Sequence, residues 1–167
     1  MTFQGKTCLE TRRLLLRVPE MQDLDAWADM LRDDGARFIG GPMSRAEAWR
    51  TLAMMVGHWA LRGFGQFSVV EAATGNCIGR VGAWMPEGWP GTEIGWALRR
   101  KYQGFGYAVE AAAETMRWAF EDLGWSEVIH CIHPDNEKSK ATATRLGSRF
   151  LRTARLPSPM MVSLDVV

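Results

Sequence analysis

The sequence predicts an α/β fold built around a mixed sheet. Three observations predict it. Apolar residues switch along the chain between helical spacing and short β-rich runs. The resulting order is one strand, two helices, three strands, then helix, strand, helix and two strands. A three-strand meander followed by strand–helix–strand–helix–strand makes a mixed sheet covered by helices, unlike the order of a doubly wound dinucleotide fold. The 167 residues suit one hydrophobic core, and no linker, repeat or low-complexity tract divides them, so 1–167 reads as a single domain.

Each element has a local reason. Arg12 to Val18 centres on a Leu run and is stopped by Pro19, as a first strand. Residues 21–32 carry Leu24, Trp27, Met30 and Leu31 at helical spacing. Gly40-Gly41-Pro42 is a break. Ser44 and Glu47 form the capping-box pattern of a second helix, whose apolar stripe is Ala48, Leu52, Met55, Val56 and Trp59, ending at Gly63. Gln66–Ala72 and Cys77–Trp84 are strands joined by a Thr74-Gly75-Asn76 turn. Residues 85–91 hold Pro86, Gly88, Pro90 and Gly91 and read as a loop before a strand from Thr92 to Leu98. A long helix then runs to Leu123 on the stripe Ala108, Ala111, Ala112, Met116, Ala119, Phe120 and Leu123, with Gly124 just past its end. Glu127–His133 reads as a strand, Asn136–Leu146 as a helix stopped by Gly147, and Arg149–Ala154 and Met160–Val166 as strands separated by Pro157 and Pro159.

Composition removes several functions. Twenty basic against nineteen acidic residues leave a net charge of +1, which gives no basis for duplex nucleic-acid binding. No apolar run approaches a membrane span, and the first sixteen residues lack a signal-peptide apolar stretch. Cys8, Cys77 and Cys131 are odd in number, far apart and without a CxxC, which fits a reduced, cytoplasmic protein. His130, Cys131 and His133 sit close in sequence, but an extended strand turns His130 and Cys131 to opposite faces, and no second ligand pair has zinc spacing. No metal is expected. No G-x-S-x-G supports a serine hydrolase.

The informative segment is Arg99-Arg100-Lys101-Tyr102-Gln103-Gly104-Phe105-Gly106-Tyr107-Ala108, between a strand and the long helix. Small residues let a backbone approach an anion, and free N–H groups at a helix N-terminus point at it. This is the physical recipe for a pyrophosphate cradle. It is not a Walker A loop, and Val109 stands where a dinucleotide fingerprint needs its third Gly.

Gln103-x-x-Gly106-x-Ala108 resembles the Q/R-x-x-G-x-G/A motif of the GNAT superfamily of N-acetyltransferases, which binds the pyrophosphate of acetyl-CoA. Glu93-Ile94-Gly95-Trp96-Ala97-Leu98 before the loop, and Tyr107–Ala111 after it, are similar to the ribosomal-protein alanine acetyltransferase branch, the RimJ/RimL type. So are Asn136-x-x-Ser139 and Arg145-Leu146-Gly147 followed by Phe150, although Ser148-Arg149 separate that Phe from the Gly. The resemblance spans roughly Leu14 to Val166. It implies a mostly antiparallel twisted sheet flanked by helices and splayed between its fourth and fifth strands.

It also implies a site. Backbone N–H groups from Gln103, Gly104, Phe105, Gly106, Tyr107 and Ala108 hold the acetyl-CoA phosphates. The pantetheine arm pairs like an added strand with Ala97, Leu98 and Arg99, and the N–H of Leu98 is the oxyanion donor. Asn136 bonds the pantetheine or sulfur region, a role compatible with capping its helix. Ser139 takes the place where many family members have a Tyr acid; Tyr102 and Tyr107 both lie beside the loop. Glu93 is the candidate base for the amine: a carboxylate in an apolar strand, sharing its face with small Gly95 and Ala97. The other reading of Glu93 is an exposed or salt-bridged strand carboxylate. Arg99 and Arg100 either reach phosphates or an acidic substrate, or belong to a solvated turn. His58 reads as a packing or surface residue beside an apolar stripe. Trp27, Trp49 and Trp59 fall where the family builds its acceptor pocket, Trp84 and Trp89 flank the 85–91 loop, and Trp118 and Trp125 read as structural.

The leading expectation is therefore an acetyl-CoA-dependent acetyltransferase acting on a primary amine, a protein N-terminus or a small molecule. The alternative is a catalytically silent acyl-CoA sensor on the same fold. The last strand, Met160–Val166, offers a route to a homodimer by pairing or exchange.

Overall fold

The computed structural model describes residues 7–156 and 163–167. Five antiparallel strands form the main sheet in chain order: β1 (Cys8–Glu10), β2 (Leu14–Arg17), β3 (Gln66–Glu71), β4 (Cys77–Trp84) and β5 (Glu93–Leu98). A second antiparallel sheet has the order β6 (Cys131–Ile132), β8 (Ser163–Val166), β7 (Arg152–Arg155). The two meet at one parallel bridge between Glu93 and Ile129. There the Ile94 N–H donates to the Ile129 carbonyl at 3.0 Å and the Ile129 N–H to the Thr92 carbonyl at 2.9 Å. Beyond that bridge the sheets diverge. This is the mixed, mostly antiparallel, splayed sheet that the sequence leads one to expect.

Helices cover both faces of the main sheet. Strand alternation sends Leu14, Leu16, Phe67, Val69, Val81, Ala83 and Ile94 to one side, where α3 (Tyr107–Glu121) buries Ala111, Ala112, Trp118 and Ala119 against them. On the other side, α1 (Leu24–Arg32) and α2 (Arg45–Arg62) bury Leu24, Trp27, Met30, Leu31, Ala48, Leu52 and Met55 with Trp84. Helix α2 starts at the expected capping box: the Glu47 N–H donates to Ser44 Oγ at 3.3 Å, and the Ser44 N–H to Glu47 Oε2 at 2.7 Å. Helix α4 (Glu137–Arg145) follows the second sheet's first strand.

Four details differ from the sequence reading. Strand β1 lies upstream of the expected first strand; its three residues bury only Leu9, too little for a periodicity. The strand expected over 127–133 is reduced to Cys131–Ile132 and the Ile129 bridge, because the chain leaves β5 there. Phe120, expected on the buried stripe of α3, is exposed, and Thr115 and Trp118 are buried instead. Strand β7 begins at Arg152, three residues later than expected. Of the last strand, Ser163–Val166 is paired on both sides within the chain, and 160–162 lie outside the described residues.

The face under α1 and α2 is unusually polar. Asp23, Gln66, Ser68, Arg80 and Glu93 are all buried there. One cluster is fully connected. Arg17 donates to both Asp23 oxygens at 2.8 and 2.7 Å, the Glu20 N–H and Ser68 Oγ donate to Asp23 Oδ2 at 2.9 and 2.7 Å, and Trp27 Nε1 donates to Ser68 Oγ at 3.2 Å. Burial alone would raise the Asp23 pKa, but these bonds outweigh it and hold the carboxyl below its usual range. The network fastens the start of α1 to β2 and β3. A depressed carboxyl pKa contributes stability present above the unfolded value and lost as pH falls through the folded one. Asp23→Ala should therefore cost about 3 kcal/mol in urea unfolding at pH 7, because it breaks a buried hydrogen-bonded network and leaves the Glu20 carboxylate, 3.9 Å away, as the ion-pair partner of Arg17. The deficit should shrink as the pH is lowered below about 4.

Candidate active site

The loop after β5 is shaped by two glycines in the left-handed region, Gly104 (φ 87°) and Gly106 (φ 80°). At these angles an L side chain is strained. Gly106 is the N-cap of α3, and no side chain caps that helix. Its first main-chain bond runs from the Glu110 N–H to the Gly106 carbonyl at 3.1 Å. The N–H groups of Tyr107, Ala108 and Val109 thus precede the helical ladder and point out of the helix end. With the macrodipole, they make a seat for an anion.

The loop is held from behind by a latch that the sequence did not suggest. Arg13 Nη1 donates to the Phe105 carbonyl at 3.0 Å, and Arg13 Nε to Glu110 Oε2 at 2.6 Å. The Arg13 N–H and Thr11 Oγ1 donate to Glu110 Oε1 at 3.0 and 2.6 Å. Burial would raise the Glu110 pKa, but these bonds keep it below the usual range. The acid in the first turn of α3 is thereby neutralised locally. Gln103 Nε2 donates to the Leu98 carbonyl at 2.9 Å, and Lys138 Nζ donates to Gln103 Oε1 at 3.4 Å, which sets the first turn of α4 beside the loop. Tyr107 donates its hydroxyl to Glu71 at 2.6 Å.

Strand parity assigns the edges of β5. The Arg99 N–H donates to the Ile78 carbonyl at 2.9 Å, toward β4, whereas the Ile94 N–H points to Ile129. With a period of two, the backbone groups of Trp96 and Leu98 face the splayed side, and those of Gly95 and Ala97 face β4. Among Ala97, Leu98 and Arg99, only Leu98 turns its backbone to the open edge. The Arg99 side chain is drawn away by Asp29, at 2.7 Å, and Arg100 lies 3.6 Å from Asp33. The basic run before the loop is thus largely spent on acids in and just after α1.

Glu93 sits at the closed end of β5, beside the bridge. It is buried and accepts from Trp89 Nε1 at 2.6 Å and from the Cys131 N–H at 3.2 Å. It is not the exposed strand carboxylate of the alternative reading. Burial pushes its pKa up to about 7, against the lowering effect of those donors and of the Arg80 charge. A carboxyl poised there can accept a proton near neutral pH. Arg80, on β4, donates to Gln66 Oε1. It is buried, and desolvation lowers its pKa to about 10. Arg80 and Gln66 are not among the site residues expected from sequence, although Arg80 carries the same mark as Glu93: an ionic side chain inside an apolar strand.

The remaining candidates are placed as follows. Asn136 Oδ1 accepts the Ser139 N–H at 3.2 Å and caps α4, and Ser139 is half-buried in its first turn. His58 is a clamp. It accepts the Met85 N–H at Nε2 (3.2 Å), so Nδ1 donates to the Phe64 carbonyl at 2.8 Å, and the ring stacks on Trp84. Burial lowers its pKa. His130 is likewise buried and neutral: Nδ1 donates to the Ile94 carbonyl at 2.6 Å and Nε2 accepts from Ser148 at 3.0 Å. Ser148, one of the two residues that depart from the family pattern, thus helps hold the splay. Trp27 and Trp59 are core residues, with Trp59 Nε1 donating to the Gln66 carbonyl at 2.8 Å, while Trp49 is about half exposed at 49%. Among the described residues, no cluster of His, Cys, Asp and Glu could hold a metal ion, and no helix is long and apolar enough to cross a membrane.

Residues 13–149 match the family described as the acetyltransferase (GNAT) domain. The chain is 28% identical over 135 residues, 78% of its length and 76% of the relative's, to the uncharacterized N-acetyltransferase p20 of Bacillus licheniformis. Its fold is similar to that of an acetyltransferase from Agrobacterium tumefaciens, with a TM-score of 0.86, 31% identity, and 97% and 94% of the two chains covered. It is also similar in fold to RimL, a ribosomal L7/L12 α-N-protein acetyltransferase solved with coenzyme A. That match has a TM-score of 0.77, 15% identity and 96% of each chain covered.

Proposed function

Because the chain belongs to the GNAT family of acetyltransferases, we propose that it moves the acetyl group of acetyl-CoA to a primary amine by direct attack within a ternary complex. One observation carries this reading. A single strand, β5, ends in an uncapped glycine loop, offers an open backbone edge at Trp96 and Leu98, and bears a buried carboxylate at Glu93.

The residues divide the work. The N–H groups from Gly104 to Ala108 hold the pyrophosphate; that of Gln103, expected among them, is instead spent on the Arg100 carbonyl at 3.2 Å, closing the turn before the loop. Gly104 and Gly106 fit this use: both keep a Cβ-free backbone in the left-handed region, on the exposed side of the loop. The pantetheine amides lie along β5 as an added strand, bonding Trp96 at its open edge; the Leu98 carbonyl accepts from Gln103, which leaves the Leu98 N–H for the reacting carbonyl. When bound, acetyl-CoA supplies an activated thioester carbonyl. The amine nitrogen forms a bond to that carbon, and the carbon–sulfur bond breaks. The Leu98 N–H stabilises the oxygen that carries negative charge between those events. Glu93 takes the amine proton, directly or through one water. The thiolate leaves readily near neutral pH, accepts a hydrogen bond from the Ser139 hydroxyl and takes its proton from solvent, while Asn136 holds the helix start in place. The amine enters beneath α1, α2 and the 85–92 loop, which Trp89 and His58 pin over Glu93.

Gly106→Glu should reduce acetyl-CoA affinity at least 100-fold by calorimetry, because it puts a strained, negatively charged side chain into the anion seat; retained affinity would remove the loop from the cofactor site. Glu93→Gln should lower kcat about 10²- to 10⁴-fold while leaving acetyl-CoA affinity within about twofold. Since the base must be ionised, the wild-type rate should rise through about pH 7 and the variant should lose that limb. An unchanged profile excludes Glu93 as the base. Coenzyme A binding without turnover of protein N-termini, polyamines, amino acids or aminoglycosides would instead make the domain an acyl-CoA sensor.

A further inference from the structure

Among the described residues, Arg80 Nε is the one buried side-chain polar atom without a hydrogen-bond partner. The side chain is 7% exposed, and its one protein acceptor is Gln66 Oε1. No carboxylate lies within ion-pair distance of it among the described residues. Glu93 is the charge that acts on it most, yet both Glu93 oxygens are turned elsewhere, Oε2 to Trp89 and Oε1 to the Cys131 N–H. A buried guanidinium held this way is costly, because desolvation is not balanced by a paired anion. Fully connected clusters are the rule in this protein, as Arg17 and Asp23 show on the same face of the sheet.

The backbone register explains how the two groups face a common space. Arg80 pairs with Ala97 and Glu93 with Trp84, and the row between them is Gly82 opposite Gly95. That row carries no side chain on the face shared with Arg80 and Glu93. A Cβ at Gly95 would stand 3.2 Å from Gln66 Nε2 and 3.4 Å from Glu93 Oε1, so Gln66 and Glu93 converge over this glycine. Trp27 closes the far side, its ring centroid 5.8 Å from the Arg80 guanidinium carbon. Gly95, Trp96 and Ala97 are partly exposed and open the strand to the splay.

We propose that Arg80 is the specificity-determining residue of the acceptor site, and that it binds a carboxylate on the same small molecule that presents the amine to Glu93. The acceptor is then an amino acid or a close amino-acid-like acid. This rests on the reading of Glu93 as the base. A guanidinium presents its donors in a planar fork suited to a carboxylate, and a free Nε provides one prong of it. Gln66 orients the fork through its side-chain oxygen. The acceptor enters from the exposed side of Gly95 and displaces the Gln66 amide from above that glycine, which brings its amine toward Glu93 and its acid toward Arg80.

The test is acetyl-CoA-dependent release of coenzyme A with matched acceptors: free amino acids, the corresponding amino-acid amides, the corresponding amines without the carboxyl, and short peptides beginning with Ser, Ala or Asp. The wild type should favour some free amino acids over their amides at least 100-fold in kcat/KM. Arg80→Met should erase that preference by raising KM at least 100-fold more for the acid than for the plain amine, with acetyl-CoA affinity kept within a few-fold; the upward shift of the Glu93 pH limb that loss of the Arg80 charge causes should be common to both acceptors. Arg80→Lys, which keeps the charge without the fork, should restore part of the preference and guards against a folding defect in the Met variant. Equal turnover of acids and amides by the wild type, or a preference for peptides, overturns the role given to Arg80 while leaving the acetyltransferase reading intact. So does an Arg80→Met effect confined to the pH profile and equal for every acceptor, which would make Arg80 a counter-charge to Glu93 only. Coenzyme A binding with no turnover of any acceptor overturns both readings together.

Discussion

Strand β5 has two neighbours and can satisfy only one along its length. It pairs with β4 from Glu93 to Leu98, while on its other side it meets the second sheet at the single Glu93–Ile129 bridge. A buried strand edge without partners is costly, because main-chain N–H and C=O groups need hydrogen bonds. The protein limits this cost at both ends. His130 takes the Ile94 carbonyl at one end, and Gln103 takes the Leu98 carbonyl at the other. Between them Trp96 is left facing the gap, along with the Leu98 N–H. The site follows from this one divergence: an open edge for an extended ligand, a helix end beyond it for an anion, and a carboxylate at the point where the sheets separate.

The polar face beneath α1 and α2 shows two uses of buried charge. Around Asp23 every group is paired, and the network fixes the first helix to the sheet. Around Arg80 and Glu93 the groups are only partly paired, and the difference falls over the glycine row beside the open edge. Saturated networks give rigidity, whereas the unpartnered Arg80 Nε is the group that the proposed acceptor carboxylate would satisfy. Arg99 shows the same logic from the opposite side. Its backbone bonds β4 and its side chain bonds Asp29, so it braces α1 against the end of β5 rather than serving the anion seat.

Much of this was legible in the sequence because it rests on local chemistry. The capping box at Ser44, the glycine-rich turn before α3 and the stripes of α2 and α3 each depend on residues within a few positions of one another. Glu93 was legible because a carboxylate stood in an apolar strand. Arg80 carried the same mark, but its meaning depends on Gln66 and on the glycine register across strands, which no short-range pattern contains. The latch from Arg13 to Phe105 and Glu110 joins residues more than ninety positions apart, so it appears only once the sheet is assembled. The tryptophans illustrate the same limit. Composition marks them as unusual, but only packing separates Trp27 and Trp59 in the core from Trp89, which bonds Glu93.

In the proposed function, one ligand spans the anion seat and the open edge of β5. Amide hydrogen exchange, resolved by residue and measured with and without coenzyme A, tests it most directly. Coenzyme A should slow exchange at Trp96 and Leu98 together with Tyr107, Ala108 and Val109, and leave the β4-facing amides of Gly95 and Ala97 unchanged. Protection of the loop with no change at Trp96 and Leu98 would contradict it, because the ligand would then end at the loop and never reach the strand that carries Glu93.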